Sequence, residues 1–284
     1  MKSIKLIECP RDAMQGWKAF IPTEKKIEYI NQLLKVGFDT IDFGSFVSAK
    51  TVPQMADTKE VVEQLDIKRN GTKLLAIIAN VRGAKEAAEF DKINYLGFPF
   101  SVSPTFQKRN TNSSIEQSLE NVKEIKNICD ANQKELVVYI SMAFGNPYGD
   151  KYNEEIVMEW IKKIAAVGIR IVSLADTVGV ATALQVSSTV NKVISQFPVL
   201  EIGVHLHSTN LNWKEKIDSA LQNGCRRFDG ALKGFGGCPF AEDELVGNMD
   251  TELMIPYFKK LGFLENINET ELLKAGKMAS KIFI

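Results

Sequence analysis

The sequence has no surplus of either charge. Lys+Arg at 35 balances Asp+Glu at 35 over 284 residues. No net field therefore draws the chain to nucleic acid or to an anionic membrane surface, and neither is expected as a partner. No apolar run approaches the roughly 20 residues that a membrane span needs. The first eight residues run into a strand pattern instead of the apolar centre of a signal peptide, so a cytosolic location is the default. The four cysteines, Cys9, Cys129, Cys225 and Cys238, show no C-x-x-C spacing. That excludes a zinc knuckle or a redox pair and leaves reduced thiols.

Histidine is scarcer still. The chain has two, His205 and His207, one residue apart at the end of an apolar run. Side chains alternate faces along a strand, so both imidazoles project to one side and Leu206 to the other. A lone histidine is more often an ordinary core or surface residue. Spending the whole complement on one alternating pair argues for a metal site, with the remaining ligands deciding which metal.

Apolar, β-branched runs recur at 4–9, 40–46, 73–78, 93–98, 136–142, 169–175, 201–207 and 227–232. Segments with helical periodicity and capping residues separate several of them: Thr23 before a run to Val36, Ser113 and Ser114 before 115–131, Asn153 before 154–166, and Thr182 before 183–195. Eight such alternations predict an α/β fold, a (β/α)8 TIM barrel. An open dinucleotide-binding sheet is disfavoured because no G-x-G-x-x-G follows the first strand. No Gly/Ser-rich or Pro-rich linker interrupts the series, so one catalytic domain over 1–284 is expected, with 261–284 as an extra helical tail packed on the barrel.

Barrel chemistry sits where strands end. Asp12 follows the first strand, the histidine pair follows the seventh, and Asn248 lies beyond the eighth. Together they offer a mixed oxygen and nitrogen set that suits Mg²⁺ or Mn²⁺ with open positions, although zinc or cobalt could also occupy it. Arg11, beside Asp12, could stabilise a developing oxyanion or simply pair with the aspartate. Cys238 lies in the glycine-rich Gly234–Cys238 loop, which could close over a ligand and bring a thiol in as acid or base. Asp42 and Asp176 are read as strand-end residues able to orient ligands or Arg11, with helix capping as the plainer role for Asp176. Phe106, Lys108, Arg109 and Asn110 are read as a long basic loop after the fourth strand.

At these residues the chain resembles 3-hydroxy-3-methylglutaryl-CoA lyase. The blocks that carry the resemblance are Pro10-Arg11-Asp12-Ala13-Met14-Gln15, Ser45-Phe46-Val47-Ser48-Ala49-Lys50 with Val52-Pro53-Gln54-Met55, Ala175-Asp176-Thr177-Val178-Gly179-Val180, His205-Leu206-His207 and Gly236-Gly237-Cys238-Pro239-Phe240-Ala241. The resemblance implies a divalent cation held by Asp12, His205, His207 and Asn248. It places Arg11 near the thioester carbonyl, Cys238 on a mobile loop, and Gln15, Asp42, Ser45 and Asp176 lining or supporting the site. It implies an acyl-CoA substrate cleaved to acetyl-CoA and a keto acid, acetoacetate for the family's own substrate, and a homodimer. Departures from the family pattern are Asp42 in place of Glu, Ser208 in place of Asp, Asn146 in place of Cys, and a longer, more acidic stretch before Asn248. The shorter carboxylate at position 42 is expected to weaken positioning and to allow a related hydroxyacyl-CoA. A synthase condensing acetyl-CoA with a 2-keto acid and a non-catalytic metabolite-binding barrel are the alternatives.

Overall fold

The structure is a computed structural model, and it describes residues 3–67, 71–237 and 246–283. In chain order the elements are β1 (Lys5–Glu8), α1 (Pro10–Gln15), α2 (Thr23–Leu33), β2 (Thr40–Ser45), α3 (Thr58–Glu63), β3 (Lys73–Ile77), α4 (Val81–Ala88), β4 (Tyr95–Ser101), α5 (Pro104–Thr111), α6 (Ile115–Ala131), β5 (Glu135–Ser141), α7 (Glu154–Ala166), β6 (Ile171–Ala175), α8 (Ala183–Gln196), β7 (Glu201–His205), α9 (Trp213–Gln222), β8 (Arg227–Gly230), α10 (Thr251–Lys260) and α11 (Glu269–Ile282). The strands pair in parallel in sequence order, and β8 returns to β1, closing an eight-stranded barrel. This is the (β/α)8 architecture expected from the alternation of strand and helix patterns.

Alternation along each strand splits the apolar core in two. On β3, Leu74 and Ala76 belong to the large layer between barrel wall and helices, whereas Leu75 belongs to a smaller cluster with Tyr95, Val137, Tyr139 and Ile171, against which Ile77 packs. Period-2 geometry places that second cluster inside the barrel. The outer helices start where short polar side chains cap them: Ser114 and Thr182 each form a reciprocal capping box, and Asn153 accepts from the Ile156 amide. The tail folds as α11 and packs on α2, where Phe283 meets the rings of Trp17 and Tyr29.

Two segments expected as loops are helical. Residues 10–15 form α1, opened by Pro10, whose fixed φ suits the first turn. Residues 104–111 form α5, with Ser103 accepting from the Phe106 amide, Pro104 in the first turn and Asn112 closing the helix in the left-handed conformation. Both are too short for their periodicity to be read. The β7 ladder also stops at His205, before the 207 expected. From there Leu206–Ser208 runs antiparallel to Gly247–Met249: the Ser208 amide donates to Gly247 O at 2.9 Å, and the Met249 amide to Leu206 O at 3.2 Å.

Candidate active site

The C-terminal mouth of the barrel holds a cavity, open to solvent, whose walls include Arg11, Asp12, Gln15, Ser45, His205 and His207. These six come from α1, the end of β2, the end of β7 and the segment just beyond it. Ser45 is held at the rim: its amide donates to Thr58 Oγ1 at 3.1 Å and its hydroxyl accepts from the Val47 amide at 3.2 Å.

The short helix α1 explains how three of the six act as a unit. Residues 3 and 4 apart share a helix face. Gln15 therefore reaches both neighbours, donating to Asp12 Oδ1 at 2.7 Å and accepting from Arg11 Nη1 at 2.9 Å, while Nη1 also donates to Asp12 Oδ1 at 2.8 Å. Asp42 closes on the other edge of the guanidinium, accepting from Nε at 3.2 and 3.1 Å and from Nη2. A guanidinium has five N–H groups. Among the described residues four are committed, which leaves one on Nη2 for a substrate oxygen.

Asp42 is not at a strand end. It lies third in β2, beside a register irregularity between Asp42 and Gly44 where the chain bulges against β3. The bulge re-aims the side chains after it. Arg11 supplies the missing reach, so the shorter carboxylate still grips it with both oxygens. Burial pushes the Asp42 carboxyl up to about 6 despite the opposing pull of Arg11.

The two imidazoles stand 5.4 Å apart between ring centroids, on the side away from Leu206, which belongs to the outer core. Asp12, His205 and His207 bring one ligand atom each within 4.8 Å of one another. Both Nδ1 atoms are already engaged, His205 by Asp229 Oδ2 at 3.2 Å and His207 by Val246 O at 2.9 Å. That leaves both Nε2 atoms as the open ligand positions. Asn248 donates through Nδ2 to Asp12 Oδ2 at 2.6 Å and to Phe235 O at 2.9 Å, and its buried Oδ1 has no hydrogen-bond partner among the described residues. An orphaned buried oxygen is costly and calls for a partner.

The donor set therefore fits a divalent cation: one carboxylate, two imidazoles and an amide oxygen. The carboxylate has about four lone-pair sites, of which Asp12 has three filled. Burial raises the Asp12 carboxyl, but Arg11, the histidines and Asn248 together hold it at about 2. Burial, with His205 beside it, pushes His207 down to about 4, so its imidazole is neutral at ordinary pH. Burial also pushes His205 down, but the hydrogen bond to Asp229 and the charges of Asp229 and Asp12 together outweigh it, leaving the net shift upward. A second trio, Cys9, His205 and Asp229, is as compact. It would use the Nδ1 that Asp229 already engages, and burial drives the Cys9 thiol well above its ordinary value, so we favour the Asp12 set.

The glycine-rich segment crosses this set. Gly236 has φ of +105°, and a Cβ there would lie 2.5 Å from Asn248 Nδ2 and 2.9 Å from Asp12 O, so only glycine lets the backbone pass. Cys238, and most of the acidic stretch before Asn248, lie outside the described residues.

Asp176 does not line the cavity. It follows β6 directly, is buried, and accepts from Lys216 Nζ at 2.9 Å and from the Ala181 amide at 3.0 Å. The α8 cap is Thr182, not Asp176. Lys216 also donates to His207 O at 2.8 Å, so this buried pair fixes the backbone that carries the second histidine. Asn146, where the resembled family has Cys, builds a turn: its Oδ1 accepts from the Tyr148 and Asp150 amides. On α5, Phe106 and Asn110 reach the cavity wall, while Arg109 lies 4.7 Å over the Tyr148 ring.

Sequence reasoning missed Asp229 and Lys216. The available signal was a charged residue inside an otherwise apolar pattern, Asp229 between Phe228 and Gly230 and Lys216 beside Ile217, because buried charges occur paired.

The HMGL-like family model matches residues 4–279. The chain is 34% identical over 270 residues to a hydroxymethylglutaryl-CoA lyase of Bacillus subtilis, covering 94% of this chain and 89% of that one. Among solved structures, the HMG-CoA lyase of Brucella melitensis aligns with a TM-score of 0.92 at 29% identity, covering 100% of this chain and 99% of the other. An HMG-CoA lyase from Acenitobacter baumannii, solved in complex with coenzyme A and 3-methylmalate, aligns with a TM-score of 0.90 at 30% identity over 99% of this chain and 91% of that one. Sequence and backbone agree along almost the whole length, and the chain belongs to the HMGL-like family.

Proposed function

We propose that the protein is a carbon–carbon lyase that cleaves 3-hydroxy-3-methylglutaryl-CoA to acetyl-CoA and acetoacetate. The observation that carries this reading is the arrangement at Asp12: one carboxylate faces two free imidazole nitrogens and an unpartnered amide oxygen, and the same carboxylate is hydrogen-bonded to Arg11 at the cavity wall. A guanidinium held by three residues with one N–H left over suits the charge that develops on a thioester oxygen. Family membership and likeness to HMG-CoA lyases support the same substrate class.

Asp12, His205, His207 and Asn248 would hold Mg²⁺ or Mn²⁺, which supplies Lewis acidity toward the substrate's tertiary hydroxyl and leaves positions for its oxygens. Arg11 offers its remaining N–H to the thioester oxygen. When the hydroxyl proton is removed, the bond between C2 and C3 breaks, the hydroxyl carbon becomes the ketone of acetoacetate, and the electron pair passes to C2 as a thioester enolate. The guanidinium, fixed by Asp42, Asp12 and Gln15, stabilises the charge on that oxygen without reorganising. Protonation of C2 completes acetyl-CoA, and Cys238 is the acid we assign to that step. Ser45 and Gln15 are assigned to substrate contact, and Asp176 to holding Lys216.

The reading makes the protein a cytoplasmic homodimer acting on a soluble acyl-CoA, with no nucleic-acid or membrane partner; no helix among the described residues is long and apolar enough to cross a membrane. Incubation with 3-hydroxy-3-methylglutaryl-CoA and Mg²⁺ is expected to release acetyl-CoA and acetoacetate in equal amounts. Absence of both products from this and related 3-hydroxyacyl-CoAs would exclude a lyase. Incorporation of acetyl-CoA into a 2-keto acid would favour a synthase.

A further inference from the structure

A column of alternating charge runs down the barrel wall beneath the site. Lys5 Nζ lies 2.6 Å from Glu201 Oε2, and Glu201 Oε1 lies 3.3 Å from Arg227 Nη1. Asp229 follows two residues along β8, on the same face as Arg227, and its Oδ2 meets His205 Nδ1 at 3.2 Å. Arg227 and Asp229 are both buried. Among the described residues, Arg227 Nε and Nη2 have no hydrogen-bond partner, and neither has Asp229 Oδ1. The unmatched atoms are thus donors on one residue and an acceptor on the other.

The fold makes room for this arginine. A Cβ at Gly203 on the neighbouring strand would lie 2.9 Å from Arg227 Cδ, so the side chain lies across a residue that has none. Burial works against the Arg227 cation, and Asp229 is the strongest of the attractions that outweigh it. A buried guanidinium is poor value for stability alone, since well-packed apolar groups often serve as well or better.

We infer that Asp229 and Arg227 are positioning residues for His205. Asp229 accepts the Nδ1 proton, which fixes the tautomer and turns the Nε2 lone pair toward Asp12 and His207. Arg227 balances the Asp229 charge and anchors its second oxygen, directly or through an internal water, and Glu201 and Lys5 tie the column to the barrel floor. Hydrogen-bonded carboxylates of this kind orient histidine ligands and raise their basicity. The inference rests on the reading of His205 as a metal ligand.

Mn²⁺ binding, measured by calorimetry on purified full-length protein without substrate, tests the inference independently of turnover. Asp229→Asn is expected to weaken Mn²⁺ binding about 10–100-fold, and Arg227→Met about tenfold. Arg227→Lys, which keeps a cation, should retain most of the affinity. Circular dichroism establishes that each variant is folded, and Asp229→Asn carries the test where Arg227→Met does not fold. Wild-type affinity in folded Asp229→Asn or Arg227→Met would overturn the inference, as would equal losses in Arg227→Lys and Arg227→Met. His205→Ala serves as the reference: if it binds Mn²⁺ as wild type does, the metal-site reading itself fails.

Discussion

The two walls of the barrel interior are built on opposite principles. Across β3 to β6 the inner face is filled by Leu75, Tyr95, Val137, Tyr139 and Ile171, a packed apolar plug. Across β1, β7 and β8 it carries two linked groups, Lys5–Glu201–Arg227 and Asp229–His205, each joined by ion pairs or hydrogen bonds. The plug gains its stability from burial and packing, terms that do not depend on direction. The charged wall gains little net stability, because desolvation offsets its attractions. It gains direction instead, and the proposed metal-ligand set stands at its upper end. Rigidity and chemistry are thus assigned to different halves of one barrel.

Substitutions on the two sides should therefore fail differently. The largest effect is expected at Arg11, whose remaining N–H has no substitute: Arg11→Gln should lower kcat about 10²–10³-fold while Mn²⁺ affinity stays within a few-fold of wild type, since Asp12 and both imidazoles remain. Parallel loss of affinity would show that Arg11 builds the ligand set and does not act on the substrate. Next is Lys216→Met, which strands the buried Asp176 carboxylate and releases His207 O. Removing one member of a buried pair costs about 3–5 kcal/mol, and here thermal unfolding and Mn²⁺ titration should both register it.

On the apolar side, Ile171→Ala should cost about 2–5 kcal/mol of stability through lost burial and cavity formation and leave Mn²⁺ affinity unchanged. Weakened metal binding in that variant would erase the distinction between the walls. The smallest effect concerns the outer face of β1, where Glu8 accepts from the Leu232 amide at 2.8 Å and from Thr251 Oγ1 at 2.7 Å. Burial pushes its carboxyl from 4.5 up to about 8. A folded-state pKa above the unfolded one gives stability that is fully present at low pH and is lost as pH rises between those values. The melting temperature of the wild type should therefore fall between pH 6 and pH 9 by more than that of Glu8→Gln, which cannot ionise. Equal falls would mean that Glu8 does not titrate in this window.

How much of this could be read from the sequence follows the same division. The strands were legible because β-branched runs alternate with capped helices, and the histidine pair because two alternating imidazoles stand out in a chain that has no others. The helices around Arg11 and Phe106 were not legible, since six or eight residues show too little periodicity. Asn248 could be picked as a ligand, but the antiparallel bridge to His207 that delivers it joins residues far apart in the chain and leaves no local pattern. The charged column was hidden for the same reason. Asp229 and His205 lie 24 residues apart, and Lys216 and Asp176 40 apart. Only closure of the barrel shows that each charge has a partner.

The most direct measurement titrates Mn²⁺ into metal-free protein while following both bound metal and acetyl-CoA release from 3-hydroxy-3-methylglutaryl-CoA. Turnover should rise from background in step with occupancy and level off at one ion per chain, and His207→Ala should lose both together. Undiminished turnover in the presence of a chelator, or full occupancy of the Asp12–His205–His207–Asn248 set with no acetyl-CoA released, would contradict a metal-dependent lyase.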